Sequence, residues 1–332
     1  MTYSGKQQAI LGVDVGGTKV RIGHVRGTGE IVYSERFPMD RTDQATTLSS
    51  IFQAIDLYLD KTRHLPYPYA AGMGLVGQVD AKNGIWKKAV NIPIRQEVDM
   101  GELMLERYDL QTAIDNDVFA ATSAEMQWGM GTAYDDFIYL NVGTGISAGL
   151  VSGGELIRGA IGAAGEIGHM LVEEEGELCK CGQKGCLEMV ASGGDMIALV
   201  KKAIGAGRTS SLCSSGNASN VALTVGDIFI AADNGDPLAV ELTERSVKAL
   251  GKAVINLLVL LNPGAIVFGG GLFNGDWLYD RLLAYINSHA GTFAHPGINN
   301  LKKSKLDPSF VGLLGAACIA GRQYGFHSGG IR

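Results

Sequence analysis

Between residues 165 and 188 the chain carries a pattern that few folds can accommodate. Cys179, Cys181 and Cys186, three of its five cysteines, fall within eight residues, and His169 lies ten residues upstream. Three thiols and an imidazole are the ligand set of a closed tetrahedral zinc site. Gly182 and Gly185 free the backbone to fold back, so that sulfurs close in sequence can converge on one ion. The alternative is three inert thiols packed as small hydrophobes, and the tight clustering argues for the metal. Glu166 and Glu188 bracket the cluster, so a rigid metal knot would hold two carboxylates and an imidazole in place as a polyol-binding surface.

Three glycine clusters each follow an apolar segment. Near the start, Ile10 to Val15 reads as a buried strand running into Gly16-Gly17-Thr18-Lys19 and a second strand, Val20 to Val25. Such a hairpin turn offers backbone N–H groups to phosphate oxygens, with Thr18 adding a hydroxyl and Lys19 a charge. A second turn, Gly143-Thr144-Gly145, lies between the apolar segments 137–140 and 148–151. The third, Gly269-Gly270-Gly271, ends a strand that follows the helix-like run Val247 to Leu261 and the break Asn262-Pro263-Gly264. Each alone is compatible with an ordinary turn. No G-x-x-x-x-G-K-S/T string marks a P-loop.

The candidate catalytic group lies between Gln111 and Glu125. Thr112-Ala113-Ile114 reads as a short strand, Asp115-Asn116-Asp117 as a turn and helix cap, and Phe119 to Met126 as a helix. That places Asp117 at a helix N-terminus, where the macrodipole favours an ionised carboxylate. Such a carboxylate can orient a hydroxyl and accept its proton late in phosphoryl transfer. An Asn-Asp pair can equally be a cap and nothing more.

Taken together, G-E-x-G-H, C-x-C-G-x-x-G-C-x-E, D-x-G-G-T-K, the Asn116-Asp117 pair and the Gly269 to Gly271 cluster resemble the ROK family of sugar kinases and repressors, in order and across nearly the whole chain. The resemblance implies an α/β, two-lobed actin-like ATPase (ribonuclease H-like) fold with its active site in the inter-lobe cleft. It implies that the first two glycine turns clamp ATP phosphates, that Gly269, Gly270 and Gly271 border the adenosine, and that Asp117 is the base. Asn91, Asn116, Glu166, His169 and Glu188 would join Asp117 on the sugar, a hexose phosphorylated at its 6-hydroxyl. Glucose leads, ahead of N-acetylmannosamine, allose and fructose. Val76, Asp115 and Ser147 depart from the family pattern.

The alternating strand and helix signals suggest a small lobe, residues 1–118, joined by a returning helix at about 318–332, and a large lobe, 119–317, that carries the knot. Structural zinc would sit on His169, Cys179, Cys181 and Cys186, while catalysis would need Mg²⁺ on the nucleotide phosphates. Loss of the metal is expected to abolish sugar binding but to spare ATP binding, because the nucleotide glycines lie on other segments. A homodimer is implied by the resemblance.

Composition agrees with a globular enzyme: 46% hydrophobic, 19% charged and 47 dispersed glycines. With 34 acidic against 28 basic residues and a net charge of −6, no basic footprint for nucleic acid is present. No apolar run suits a signal peptide or membrane span, so a cytoplasmic protein is expected. Only thirteen residues precede Asp14, too few for the DNA-binding domain that ROK repressors add, which favours a kinase over a sugar-sensing regulator.

Overall fold

A computed structural model of the chain describes residues 8–89, 92–213 and 222–326. It forms two compact units: the chain up to Ala133 with Leu156–Ala164 and the chain from Lys305 on, and Tyr134–Glu155 with Gly165–Ser304.

In the first unit the apolar run at the start forms β1 (Ala9–Val15), which turns back through Gly16 to Thr18 into β2 (Lys19–Arg26) and on to β3 (Ile31–Pro38). Helix α1 (Gln44–Lys61) begins where the Asp43 carboxylate accepts the Thr46 N–H. Then follow β4 (Ala71–Leu75) and the small antiparallel sheet of β5 (Gln78–Asp80), β6 (Ile85–Lys88) and β7 (Val98–Asp99). Helix α2 (Met100–Tyr108), β8 (Thr112–Asn116) and α3 (Asp117–Trp128) complete this stretch. The main sheet runs β3-β2-β1-β4-β8, antiparallel through β3, β2 and β1 and parallel through β1, β4 and β8.

The second unit contains β9 (Phe137–Val142), β10 (Ile146–Ser152) and β11 (Glu155–Leu156), followed by α4 (Leu187–Ala191), α5 (Gly193–Gly205) and α6 (Val225–Asp233). Helix α7 (Pro237–Leu261) starts at an Asp-Pro pair, with the Asp236 side chain accepting the Leu238 and Ala239 N–H groups. It stops at Asn262 in the left-handed region, φ 44°. After it come β12 (Ala265–Gly269), α8 (Trp277–His289), α9 (His295–Ile298) and β13 (Leu301–Lys303). The sheet order β11-β10-β9-β12-β13 repeats that of the first unit strand for strand, with β9 and β10 antiparallel and β9, β12 and β13 parallel. One sheet plan built twice is the actin-like ATPase fold.

The last helix, α10 (Val311–Tyr324), belongs to the first unit and packs against β1, β4 and α3. The contact is a small-residue one: Gly315 lies against the Ala120 backbone, so α3 is drawn into the first unit. That unit therefore extends to Ala133 rather than ending at residue 118, and the returning segment starts at Lys305 rather than near 318.

The string Gly72-Met73-Gly74-Leu75-Val76-Gly77 spells G-x-G-x-x-G, yet its first two glycines lie inside β4, Gly72 beneath α10 and Gly74 against α3. They serve helix packing and not a phosphate. A Cβ on Gly72 would stand 1.7 Å from the Ala316 carbonyl oxygen, backbone that cannot yield without moving α10. Gly72→Ala is accordingly expected to cost at least the upper part of the roughly 1–3 kcal/mol typical of overpacking, read as a fall in denaturation midpoint. An unchanged midpoint would contradict this packing. Among the described residues no helix is long and apolar enough to cross a membrane.

Candidate active site

In the first unit the polar residues collect at the C-terminal ends of the parallel strands β1, β4 and β8, the edge where open α/β sheets hold ligands. Val15, Leu75 and Asn116 are in register, which puts the Gly16 turn and the Asn116-Asp117 pair two strand spacings apart, about 10 Å. The first turn is closed by one bond, Gly16 N–H to the Lys19 carbonyl at 3.0 Å, and a Cβ on Gly17 would meet nothing within 4 Å. Thr18 and Lys19 are exposed. This surface is open to a phosphate. Beside it Asp14 faces Gly312 of α10, and burial pushes its carboxyl up to about 6 despite the pull of Arg21 and Arg36. A carboxylate held where it is costly to ionise is a mark of a functional site.

Asn116 is the N-cap of α3, its Oδ1 accepting the Val118 N–H at 2.9 Å, while its Nδ2 donates to the Gly77 carbonyl at 2.9 Å. Its role as a cap, one of the two alternatives for the pair, is thus realised for Asn116. Asp117 is the first helical residue and accepts the Val118 N–H through Oδ1 at 3.0 Å. The divergent Asp115 is buried, and both its oxygens are taken by Arg158 in a two-pronged ion pair at 2.8 and 2.6 Å. The guanidinium also covers the Phe119 ring at 5.1 Å. Arg158 was not among the expected site residues. It comes from Leu156–Ala164, sequence-remote from β8, and no motif pairs it with Asp115. Val76 is occupied structurally, its carbonyl accepting the Trp86 indole N–H at 3.0 Å, and Ser147 lies within β10 and not in the turn. Asn91 lies outside the described residues.

The second unit gathers nearly all the remaining expected residues. The turn Gly143-Thr144-Gly145 is closed by the Gly143 N–H on the Gly145 carbonyl at 2.9 Å. The third glycine cluster adjoins it. Gly270 has φ 88°, and a Cβ there would lie 2.4 Å from the Val142 carbonyl oxygen, so only glycine lets β12 end against β9. Gly271 opens onto free space, with its N–H 3.9 Å from the Cβ position of Gly143. Gly269 instead packs on the Tyr139 ring and is buried, which makes it a packing glycine.

The Cys/His cluster forms as the spacing predicts. Gly182 and Gly185 take positive φ, 94° and 77°, and short bridges pair Leu171 with Cys186 and Leu178 with Lys184. Cys179 Sγ lies 3.6 Å from His169 Nδ1, Cys181 Sγ lies 3.6 Å from Cys186 Sγ, and all four ligand atoms fall within 4.8 Å of one another. A tetrahedral ion at the usual zinc–sulfur and zinc–nitrogen distances demands ligand separations of about 3.5–3.8 Å. Two sulfurs 3.6 Å apart are too distant for a disulfide. Burial, ahead of its sulfur neighbours, pushes the Cys186 thiol up to about 12. His169 turns Nδ1 to the cysteines and Nε2 to Glu166 Oε2, 4.0 Å away. Burial raises the Glu166 carboxyl most, Glu188 adds to the rise, and His169 opposes it. The loop is anchored to α7 by Glu173, which accepts two bonds from Arg245 at 2.6 and 2.5 Å.

The ROK family profile matches residues 10–323. A glucokinase of Halalkalibacterium halodurans is 32% identical over 291 residues, covering 87% of each chain. Among solved structures, a ROK family glucokinase from Streptomyces griseus in complex with glucose and AMPPNP superposes with a TM-score of 0.77 and 29% identity, over 95% of this chain and 99% of that one. A ROK family transcriptional regulator, a homologue of the E. coli MLC protein, superposes with a TM-score of 0.81 and 25% identity, over 97% of this chain and 79% of the other. The doubled sheet, the glycine turns at the ends of its central hairpins and a family match from β1 to α10 agree, and the chain belongs to the ROK family.

Proposed function

We propose that this ATP-dependent sugar kinase transfers the γ-phosphoryl group to the 6-hydroxyl of a hexose, with glucose as the leading substrate. The observation that carries the reading is Asp117, an acid at the first position of α3 whose Oδ1 accepts the Val118 N–H, at the end of a parallel strand and on the sheet edge that also bears the Gly16 turn. In this reading Asp117 aligns the acceptor hydroxyl and takes its proton as the loose transition state is passed. The turns Gly16 to Lys19 and Gly143 to Gly145, with Gly270 and Gly271, hold the nucleotide. Glu166, His169 and Glu188 grip the sugar hydroxyls, joined by Asn91. Asn116 acts chiefly by fixing the start of α3, since both ends of its amide are engaged.

His169, Cys179, Cys181 and Cys186 would hold a zinc ion whose four positions are all protein ligands, which makes it structural. The Mg²⁺ that accompanies ATP would neutralise phosphate charge, with Asp14, which lies in β1 just before the first turn, as a candidate acid to support it. A homodimer is part of the same proposal.

The likeness to a transcriptional regulator keeps a second reading in view, a sugar sensor without turnover. Both readings, and the choice of sugar, are tested by kcat/KM for ATP-dependent phosphorylation of glucose, N-acetylmannosamine, allose and fructose. Glucose is expected to lead by about 10-fold or more, because a polar site rejects an epimer that leaves its groups unpaired. A different leading sugar would correct the substrate, and absence of turnover with any of them would favour the sensor.

A further inference from the structure

We infer that Glu188 is a positioning residue for the nucleotide turn, and that through it the sugar-binding loop and the second glycine turn form one coupled element. The inference rests on the reading of Gly143 to Gly145 as a nucleotide turn and goes beyond it, since nothing in that reading links this turn to the sugar side.

Glu188 sits in the first turn of α4, two residues past Cys186. Its Oε2 accepts the Ile146 N–H at 2.8 Å, where the glycine turn passes into β10. The approach depends on missing side chains. A Cβ on Gly145 would stand 2.7 Å from the same oxygen, and one on Gly168, inside the Glu166 to His169 turn, 3.2 Å from it. One carboxylate oxygen is thus wedged between the nucleotide turn and the sugar loop.

The segment that follows completes the hold. Gly193 N–H donates to the Gly143 carbonyl at 2.8 Å and Gly194 N–H to the Thr144 carbonyl at 3.3 Å. Two carbonyls and one N–H of the turn are therefore bound by residues 188 to 194, a short stretch that begins at the cysteine knot. The turn itself supplies only the bond from Gly143 to Gly145. Its geometry is imposed from the side of the knot. A sugar that orders Glu166, His169 and Glu188 would order the turn as well, and by linkage a bound nucleotide would tighten sugar binding by the same factor.

The test pairs Glu188→Met, similar in size and unable to accept a hydrogen bond, with Glu188→Gln, which keeps an acceptor oxygen and loses the charge. Affinity for a non-hydrolysable ATP analogue is measured by calorimetry with and without glucose. Without sugar, Glu188→Met should bind the analogue about 10-fold more weakly than wild type, the loss expected when a buried donor is stranded. Glu188→Gln should stay within about 2-fold of wild type. Glucose should strengthen analogue binding in the wild type and not in Glu188→Met. On the wild type alone, hydrogen exchange of the peptide spanning Gly143 to Ile146 should slow when glucose is added without nucleotide, a readout independent of how the variants fold. Unchanged exchange, or wild-type analogue binding by folded Glu188→Met, would overturn the inference. Gly143→Val separates the two levels. If it abolishes analogue binding while Glu188→Met does not, only the coupling is wrong; if it too binds normally, the nucleotide assignment of the turn fails.

Discussion

Asp117→Asn is expected to fold and to bind both substrates while losing about 10²–10⁴ of kcat, the range that a positioned general base contributes. The substitution preserves shape at the first position of α3 and leaves the cap intact, because the capping oxygen belongs to Asn116. Stability should therefore change little, and the loss should fall on kcat with the KM for ATP nearly constant. That pattern marks an interaction made only in the transition state. Steady-state kinetics beside a thermal melt decide it. Retention of most of the wild-type kcat would remove Asp117 as the base.

The other large effect concerns the knot. Purified protein should carry about one zinc per chain by elemental analysis, and Cys186→Ser should lose it together with sugar binding. A structural zinc is worth on the order of 10 kcal/mol to the segment that wraps it, and that segment bears His169 and leads directly into Glu188. The expectation that nucleotide binding would be spared is changed by the geometry. The glycines proposed to hold the nucleotide lie on other segments, but Ile146, Gly143 and Thr144 are hydrogen-bonded by residues 188 to 194. Nucleotide affinity should therefore weaken too, though by less than sugar affinity, because the Gly16 turn belongs to the other unit. Full activity in metal-free wild-type protein would show the cysteines to be packing only.

Local chemistry was legible in the chain itself. Glycine at positions 182 and 185, cysteines at spacings of two and five, an Asn-Asp pair before a helix-forming run and Asn-Pro-Gly after the apolar run that ends at Leu261 each specify backbone geometry within a few residues. The structure has the knot with both glycines at positive φ, Asp117 opening α3, and α7 ended at Asn262. The order of apolar runs and glycine turns likewise carried the repeated hairpin.

What only the tertiary structure decided is every relation between residues far apart in the chain. Alanines and glycines on α3 and α10 give no sign in sequence of which surface they will meet, so the unit boundary moved to Ala133 once their close packing was formed. Asp115 read as a departure from the family pattern, and its engagement by Arg158, 43 residues downstream, depends on a segment that joins the first unit. Glu188 read as a sugar ligand, and its hold on Ile146 exists because two glycines from separate turns leave room for one carboxylate oxygen. Turn and cap preferences are set by each residue's own backbone energetics, which the sequence carries directly. Ion pairs and close approaches depend on which surfaces folding brings together, and no single segment encodes that.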